Sequence, residues 1–446
     1  MPGHKRLIGH LVLVVAVAGL WAALARLPLW HTDLWGHLSY GRWMIEHGGE
    51  TPTTEPFLTH SGDRPLVDTA RWSQLIAFRL MRAGGVEALQ LLYATLVVGC
   101  ALLTVSPVLA SRHRHRQRIP AAICGASVFL AVGWQQLLII RPQLAGLACF
   151  AGLLALMHDP RPSIRRVIIV GIVMGFWANL HGSFVIGWLL LGSHVVGRAA
   201  DRFRRTGRRT AWKNDRVFVH RLGQAAVGLL VPLVATPYGP SLPLSIWQIG
   251  QHPNLANIIE WQPLQWHQAQ ARAMLASIVL VVSVAMSSRR RVRCSNWLML
   301  VALGVAALSC SRMINWWAPV AGLVVALQAA SIRTKRPAAP TLDPSERRTV
   351  LLAGLVVAGA AMSSTPAVRG LLAERETLQA RRPMVSASTP VEVTGWLASH
   401  PPDGTVLASY EWSDFLLWQG PSRIRLLVTS HAHLVPTEVW TDYFEV

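Results

Sequence analysis

The stretch VEALQLLYATLVVGCALLTVSPVL, residues 86–109, decides the class of fold because Glu87 is its one charged side chain. About 20 mostly apolar residues in a helix are enough to cross the hydrocarbon core of a bilayer. The whole chain of 446 residues has a similar character, with 52% hydrophobic residues, 14% charged residues and a mean hydropathy of +0.36. Soluble globular chains carry about 25% charged residues. The composition excludes a disordered chain, a disulfide-rich secreted scaffold and an ordinary cytosolic enzyme. It predicts an all-α integral membrane protein.

Similar apolar stretches lie on both sides of residues 86–109, and together they predict about eleven transmembrane helices. The other ten are 8–26, 119–139, 142–158, 166–180, 182–199, 222–238, 272–288, 295–311, 313–331 and 349–366. Residues 1–366 would then form a transmembrane domain. The stretch 8–26 has a second interpretation, a signal peptide, because Lys5 and Arg6 precede it and Ala23-Leu24-Ala25 resembles a cleavage site.

The tail, residues 367–446, has a different pattern. A helix is predicted over 391–399, strands over GTVLASY (404–410) and RIRLLVT (423–429), and helices or turns at EWSDFLLW and PTEVWTDYF. This order predicts a small α/β module. The pattern stops at Val446 in the middle of an element, which leaves open whether the module is complete.

The basic residues are distributed in a way that predicts the orientation of the chain. The net charge is +20, and 27 of the 42 Lys and Arg residues fall in alternate inter-span segments that are short. Cytoplasmic loops are enriched in Lys and Arg, so we expect a cytoplasmic N-terminus and an extracytoplasmic C-terminus. The alternative meaning of runs such as RHRHRQR (112–118) and RFRRTGRR (202–209), nucleic-acid binding, is disfavoured.

Two large extracytoplasmic loops are predicted, 27–85 and 239–271. The first contains two amphipathic stretches, 33–47 and 66–82, which are typical of helices lying in the membrane interface. The five cysteines include no CxxC pair and none lies in a long extracytoplasmic segment, so neither a disulfide framework nor a cysteine metal site is expected.

Polar side chains that interrupt the apolar pattern collect at one face, the predicted outer ends of the spans. They are Asp33 and His37 after the first span, Arg141 and Gln143, Asn179 and His181, Tyr238, Glu260 and Arg312. Ionisable groups at membrane level are costly and by default indicate function. Each also has a simpler interpretation: Asp33 could cap the following helix, Asn179 and His181 could form a polar turn, and the arginines could be interface anchors.

Several of these positions lie in segments that resemble a family of large bacterial polytopic membrane proteins. The segments are Asp33-Leu34-Trp35, His37-Leu38, Gly41-Arg42-Trp43, Glu55-Pro56-Phe57, Val67-Asp68-Thr69, Arg141-Pro142-Gln143, Asn179-Leu180-His181-Gly182-Ser183, Pro237-Tyr238-Gly239, Glu260-Trp261-Gln262-Pro263 and Tyr410-Glu411-Trp412. Such proteins are similar to the GT-C class of glycosyltransferases, which take sugar from a polyprenyl-phosphate donor. The resemblance implies a location in the bacterial inner membrane and gives Asp33 the role of the acid in the first loop. The family's D-P-D pattern has an acid where this chain has His31. The resemblance leaves a divalent metal open and implies no cofactor with certainty.

The leading hypothesis is therefore a membrane glycosyltransferase-like protein that transfers sugar from a polyprenyl-phosphate donor to an extracytoplasmic acceptor, whose identity the sequence does not give. Asp33 is the candidate catalytic base. The candidate substrate-binding residues are His37, Arg42, Glu55, Arg141, Gln143, Asn179, His181, Tyr238, Glu260 and Arg312. The expected partners are the donor and the lipid bilayer, with no nucleic acid. The alternatives are a transporter or lipid flippase, and a catalytically inactive envelope-assembly scaffold.

Overall fold

The computed structural model describes residues 3–61, 64–111, 117–159, 161–208, 214–332, 344–372, 384–422 and 424–446. Its helices in chain order are α1 (Gly3–Leu24), α2 (Leu34–Glu46), α3 (Arg71–Leu109), α4 (Arg118–Leu137), α5 (Pro142–His158), α6 (Ile164–Leu180), α7 (Phe184–Thr206), α8 (Arg216–Ala235), α9 (Leu242–Gly250), α10 (Ala269–Ser287), α11 (Cys294–Ser309), α12 (Ile314–Ala329), α13 (Pro344–Ser363), α14 (Pro366–Leu372), α15 (Val391–Ser399), α16 (Tyr410–Gln419) and α17 (Thr437–Glu445). The protein is thus mainly helical, as the composition predicts. Most of the basic run 112–118 lies outside the described residues, as does the last residue of the run 202–209.

A helix lies at each of the eleven stretches that the sequence marks as apolar. Within the described residues, four of them, α3, α4, α8 and α10, are long and apolar enough to cross a membrane. Shorter apolar helices lie at Leu11–Leu24, Pro142–His158, Cys294–Ser309 and Leu352–Ser363. The chain is a membrane protein, and the number of eleven spans stays a prediction.

The centre of the bundle is α12, which is buried along almost its whole length from Ile314 to Gln328. It packs closely against α4 because both helices have a glycine at the crossing. A Cβ atom on Gly125 would lie 2.4 Å from the carbonyl oxygen of Gly322. Small residues let helix backbones approach in this way in membrane proteins.

The second amphipathic stretch of the first loop and the span at 86–109 form one long element, α3, with a break between them. Gly84 and Gly85 have non-helical backbone angles, and Gly85 has φ +64°. A positive φ is readily adopted by glycine. The break separates an amphipathic N-terminal part, which begins at Arg71 rather than at the predicted residue 66, from the apolar span that follows.

The tail packs against the first loop. Helix α16 lies on α2, and isolated β-bridges join Leu29 to Val385 and Leu58 to Leu426. The strands predicted over 404–410 and 423–429 are reduced to a parallel pair of two residues each, β1 (Thr405–Val406) and β2 (Arg425–Leu426). The predicted helix over 391–399 is confirmed as α15. Residues from the tail therefore reach the region that follows the first apolar helix.

Candidate functional site

Asp33 immediately precedes α2 but does not cap it. Its backbone has φ +52°, and no other non-glycine residue in the described ranges has a positive φ. The side chain makes no hydrogen bond to the first turn of the helix. Instead its Oδ2 atom lies 3.3 Å from Nη1 of Arg141. Strained backbone of this kind persists only where the surroundings hold it in place, and it concentrates at functional sites.

Arg141 joins two acidic residues from distant parts of the chain. It lies just before Pro142 at the start of α5, in extended backbone, and its side chain is 4% exposed. Its Nη1 atom donates to both carboxylate oxygens of Glu260, at 2.7 Å and 2.9 Å, besides facing Asp33. Burial lowers the pKa of Arg141, but the charges of Glu260 and Asp33 outweigh burial and raise it. The guanidinium is therefore a fixed cation.

Glu260 is shared between two arginines. Its Oε1 atom accepts a hydrogen bond of 2.8 Å from Nη1 of Arg312, whose Nε donates to Oε1 of Gln143 at 3.1 Å. The Arg312 guanidinium also lies 5.3 Å from the ring centre of Trp261, as in a cation–π contact. Burial raises the pKa of Glu260, but Arg141 and Arg312 outweigh burial and lower it to about 2. Glu260 is thus ionised at neutral pH.

These five residues, Asp33, Arg141, Gln143, Glu260 and Arg312, are called the Arg141 cluster below. Two carboxylates alternate with two guanidinium groups, so the formal charges cancel. The arginines can release a carboxylate only if another anion replaces it, because an unpaired buried charge is costly. An anion that binds these arginines must therefore compete with the carboxylates of Asp33 and Glu260.

Neutral imidazoles lie around the Arg141 cluster. Burial, followed by the charges of Arg312 and Arg141, lowers the pKa of His181 to about 3. Burial also lowers the pKa of His37 well below its usual value, and His431, His181 and the same two arginines lower it further. The His37 and His431 rings are 5.3 Å apart. Nδ1 of His181 accepts the backbone N–H of Ser183 at 3.0 Å. These rings can donate or accept hydrogen bonds without adding charge to the cluster.

The remaining candidates lie in other contacts. Arg42 donates to the carbonyl oxygens of Leu417 at 2.8 Å and Trp418 at 3.0 Å, and its guanidinium lies over the Trp418 ring, which joins α2 to α16. Glu55 accepts hydrogen bonds from the Tyr40 hydroxyl and from the Phe57 backbone N–H. Arg42 thus holds the first loop and the tail together, whereas Glu55 makes its contacts within the first loop.

Asn179 and Tyr238 also have local partners. The Asn179 amide donates to the carbonyl oxygens of Gly175 and Ala235, each at 2.9 Å, and so joins α6 to the end of α8. The Tyr238 hydroxyl accepts the backbone N–H of Asp68 at 2.9 Å. The structure thus brings together Asp33, His37, Arg141, Gln143, His181, Glu260 and Arg312, and places Arg42, Glu55, Asn179 and Tyr238 in other contacts.

The candidate residues predicted from the sequence included no side chain from the tail, although Glu411 lies in one of the resembling segments. His431 faces His37, and Asp414 lies beside the start of α2. Glu411 places Oε2 3.2 Å from Nε2 of His31, so a carboxylate from the tail stands next to the position where the resembling family has an acid. One signal was present, since Asp414 interrupts the apolar segment of α16.

The residues of the site do not fit a divalent metal. Within the described ranges, no group of three or more His, Cys, Asp or Glu side chains is arranged to hold one. The two carboxylates of the Arg141 cluster already face Arg141.

An apolar groove opens near the cluster between α10 and α11, with α12 behind it. Its volume is about 290 Å³, and its lining includes Leu264, Trp266, Ile278, Val301, Leu308 and Trp317. Leu264 follows Glu260 by four residues, and Leu308 precedes Arg312 by four. The groove could therefore hold an apolar chain whose polar end lies near the arginines.

No protein-family model matches the chain, and no curated protein sequence matches it. A solved structure, the oligosaccharyltransferase of Archaeoglobus fulgidus tethered with an acceptor peptide, has a similar fold, with a TM-score of 0.56 and 11% sequence identity. The match covers 95% of this chain and 64% of that one, so the chain spans less than two thirds of the protein it resembles. The fold similarity supports the GT-C-like resemblance that the sequence suggested.

Proposed function

We propose that the chain is a GT-C-like membrane glycosyltransferase that transfers a sugar from a polyprenyl-phosphate donor to an acceptor hydroxyl at the Arg141 cluster. The observation that carries the proposal is the Asp33–Arg141 pair. The Asp33 backbone is strained, and its carboxylate faces Arg141 instead of capping α2. Glu260 binds both Arg141 and Arg312 and so holds the two guanidinium groups close to each other.

In the proposed reaction the donor phosphate binds Arg312 and Arg141, because planar guanidinium groups match phosphate oxygens. Arg312 is the more accessible of the two, with 22% of its side chain exposed against 4% for Arg141. The phosphate competes with the carboxylates for these cations. Once the phosphate has replaced Asp33 at Arg141, the Asp33 carboxylate is free to act as the base.

The chemical step transfers the sugar in one displacement. Asp33 takes the proton of the acceptor, the acceptor atom bonds to the anomeric carbon, and the bond from that carbon to the phosphate oxygen breaks. The electron pair leaves with polyprenyl phosphate, whose added charge Arg141 and Arg312 stabilise. A positioned base contributes roughly 10²–10⁴-fold to a rate.

The groove between α10 and α11 supports a lipid-linked donor, since its lining is apolar and includes Leu264 and Leu308, which are four residues from Glu260 and Arg312 in the chain. The faces of α10 and α11 beside it carry exposed apolar side chains such as Val279, Val301 and Val305. A donor could enter sideways from the bilayer and place its phosphate at the arginines without leaving the membrane.

The proposal includes the predicted topology, with eleven spans, a cytoplasmic N-terminus, an extracytoplasmic tail and a location in the bacterial inner membrane. The Arg141 cluster then faces outward, and the acceptor comes from the extracytoplasmic side. A reporter active only outside the cytoplasm should give signal when fused after residue 446 and none when fused after residue 210. The reverse pattern would place the cluster on the wrong side for this reaction.

The direct test is transfer of labelled sugar from polyprenyl-phosphate-sugars in membranes that contain the wild-type protein. We expect labelled product above that of membranes without the protein. Absence of transfer with every donor tried would favour the inactive scaffold. That alternative has one observation in its favour, which is that the charges of the Arg141 cluster already cancel, as they would in a structural network.

A further inference from the structure

The start of α2 receives a buried acidic side chain from the tail. Asp414 of α16 is completely buried, and its carboxyl group lies over Gly36 in the first turn of α2. A Cβ atom on Gly36 would be 2.9 Å from Cγ of Asp414 and 3.0 Å from its Oδ2. Any side chain larger than hydrogen at position 36 would push the carboxyl group away, so Gly36 makes room for Asp414.

The hydrogen bonds of Asp414 link distant segments and, among the described residues, leave one of its oxygens unpaired. Its Oδ1 atom accepts the backbone N–H of Ser430 at 3.3 Å, and the backbone N–H of Asp33 also stabilises its charged form. Oδ2 has no hydrogen-bond partner within the described part of the chain. The carboxyl group thus holds together three segments: α16, the Ser430 turn and the residue that leads into α2.

The first backbone N–H groups of a helix need acceptors, and the residue in the cap position normally supplies one. Asp33 occupies that position in α2 but turns its side chain toward Arg141. Asp414 brings an acidic group to the same helix start from a segment almost 400 residues later in the chain. Asp33 is then free for other contacts.

We propose that Asp414 is a positioning residue: it takes over the acidic role at the N-terminus of α2 and holds Asp33 in the strained conformation that points its carboxylate at Arg141. The proposal rests on the proposed function for its effect on rate, but not for its structural part. It also makes the tail a component of the site, because Asp33 is aimed correctly only while α16 is docked on α2.

The test combines a kinetic and a non-kinetic measurement on the full-length protein in detergent or membranes. The variants are D414N, which keeps the hydrogen-bonding shape, D414A, which removes it, and D403N, a matched control at an exposed aspartate of the same tail. We expect D414A to lower kcat by roughly 10²-fold, the cost of a misplaced catalytic group, with KM for the donor unchanged. D414N should recover most of the rate, and D403N should equal wild type.

The second measurement is a double-mutant cycle on thermal stability with D33N, D414A and the double variant. Side chains that act on each other give non-additive changes, and if Asp414 supports Asp33 the double variant should lose less stability than the sum of the two single losses, whereas repulsion between the two carboxylates would give the opposite sign. Additive changes or the opposite sign would overturn the proposal, and so would D414A with wild-type kcat in an active protein. If the wild type transfers no sugar but the coupling is present, the proposed function fails while the positioning role stands.

Discussion

The Asp33 carboxylate lies 3.3 Å from the Arg141 guanidinium, although Asp33 occupies the position from which an aspartate usually caps a helix. The pair joins the loop after α1 to the turn between α4 and α5, more than 100 residues apart. Through Glu260 it also includes the turn before α12. The predictions below follow from this arrangement.

The first prediction concerns the shape of the two cations. R141K and R312K keep the charge but offer a compact ammonium in place of a planar fork. A single guanidinium, that of Arg141, contacts the carboxylates of both Asp33 and Glu260. We therefore expect R141K to lower the transfer rate more than R312K does. Steady-state kinetics with varied donor measures both variants. Wild-type kinetics in both would show that the arginines do not hold a phosphate and act only as anchors.

The second prediction concerns Glu260. E260Q leaves Arg141 and Arg312 without a shared counter-charge, and uncompensated charges at buried positions are strongly destabilising. We expect a loss of about 3 kcal/mol in the free energy of unfolding, at the low end of the range for a broken buried pair. Thermal unfolding in detergent measures it, with E438Q as the control because Glu438 is exposed. An E260Q protein as stable as E438Q would contradict the ion-pair network.

The third prediction concerns pH. Burial, which is the largest cause, raises the pKa of the Asp414 carboxyl to about 7, whereas an unfolded aspartate titrates near 3.9. Between these values the folded protein holds a proton that the unfolded chain has lost, so stability decreases as pH rises from about 4 to 7. D414N should remove this part of the slope.

Asp68 contributes a slope of the same sign, because burial raises its pKa to about 6. The quantity to compare is therefore the difference between wild type and D414N in unfolding temperature across pH 5 to 8. An equal pH dependence in the two proteins would mean that Asp414 does not titrate in this window.

The fourth prediction concerns the groove. I278W or V301W should fill space between α10 and α11 and so raise KM for a long-chain polyprenyl donor. A donor with a short lipid chain should be affected much less, because it does not reach along the groove. V234W is the control, since Val234 is 83% exposed on α8, away from the groove. Equal changes in KM for long-chain and short-chain donors would show that the groove does not bind the lipid chain of the donor.

The membrane class and the positions of the helices could be predicted from the sequence because apolar stretches are local signals. The observed helix boundaries differ from the predicted ones where an apolar pattern changes to an amphipathic one. Helix α7, for example, continues past the predicted residue 199 to Thr206, since its end is amphipathic and arginine-rich, and it ends at Gly207 with φ +68°. The two strands of the tail, β1 and β2, are much shorter than the stretches that were predicted from their β-branched residues.

Part of the candidate site could be predicted as separate residues, but not as a network. Asp33, Arg141, Glu260 and Arg312 each interrupt an apolar pattern, which identifies them one at a time. Their pairing depends on how distant turns meet at one end of the bundle, and no local pattern encodes that. Asp414 was missed for a related reason, since an acidic residue in a helix of the tail gives no sign that the helix docks beside Asp33.

The central claim is that Asp33 is the catalytic base, and D33N tests it most directly. Asparagine has nearly the same shape as aspartate and is as acceptable before a helix, but it cannot take a proton from the acceptor. We predict that D33N lowers the rate of sugar transfer from polyprenyl-phosphate-sugar by roughly 10²–10⁴-fold, while its amount in the membrane stays at the level of wild type and of D403N. Transfer by D33N at the wild-type rate would contradict the account.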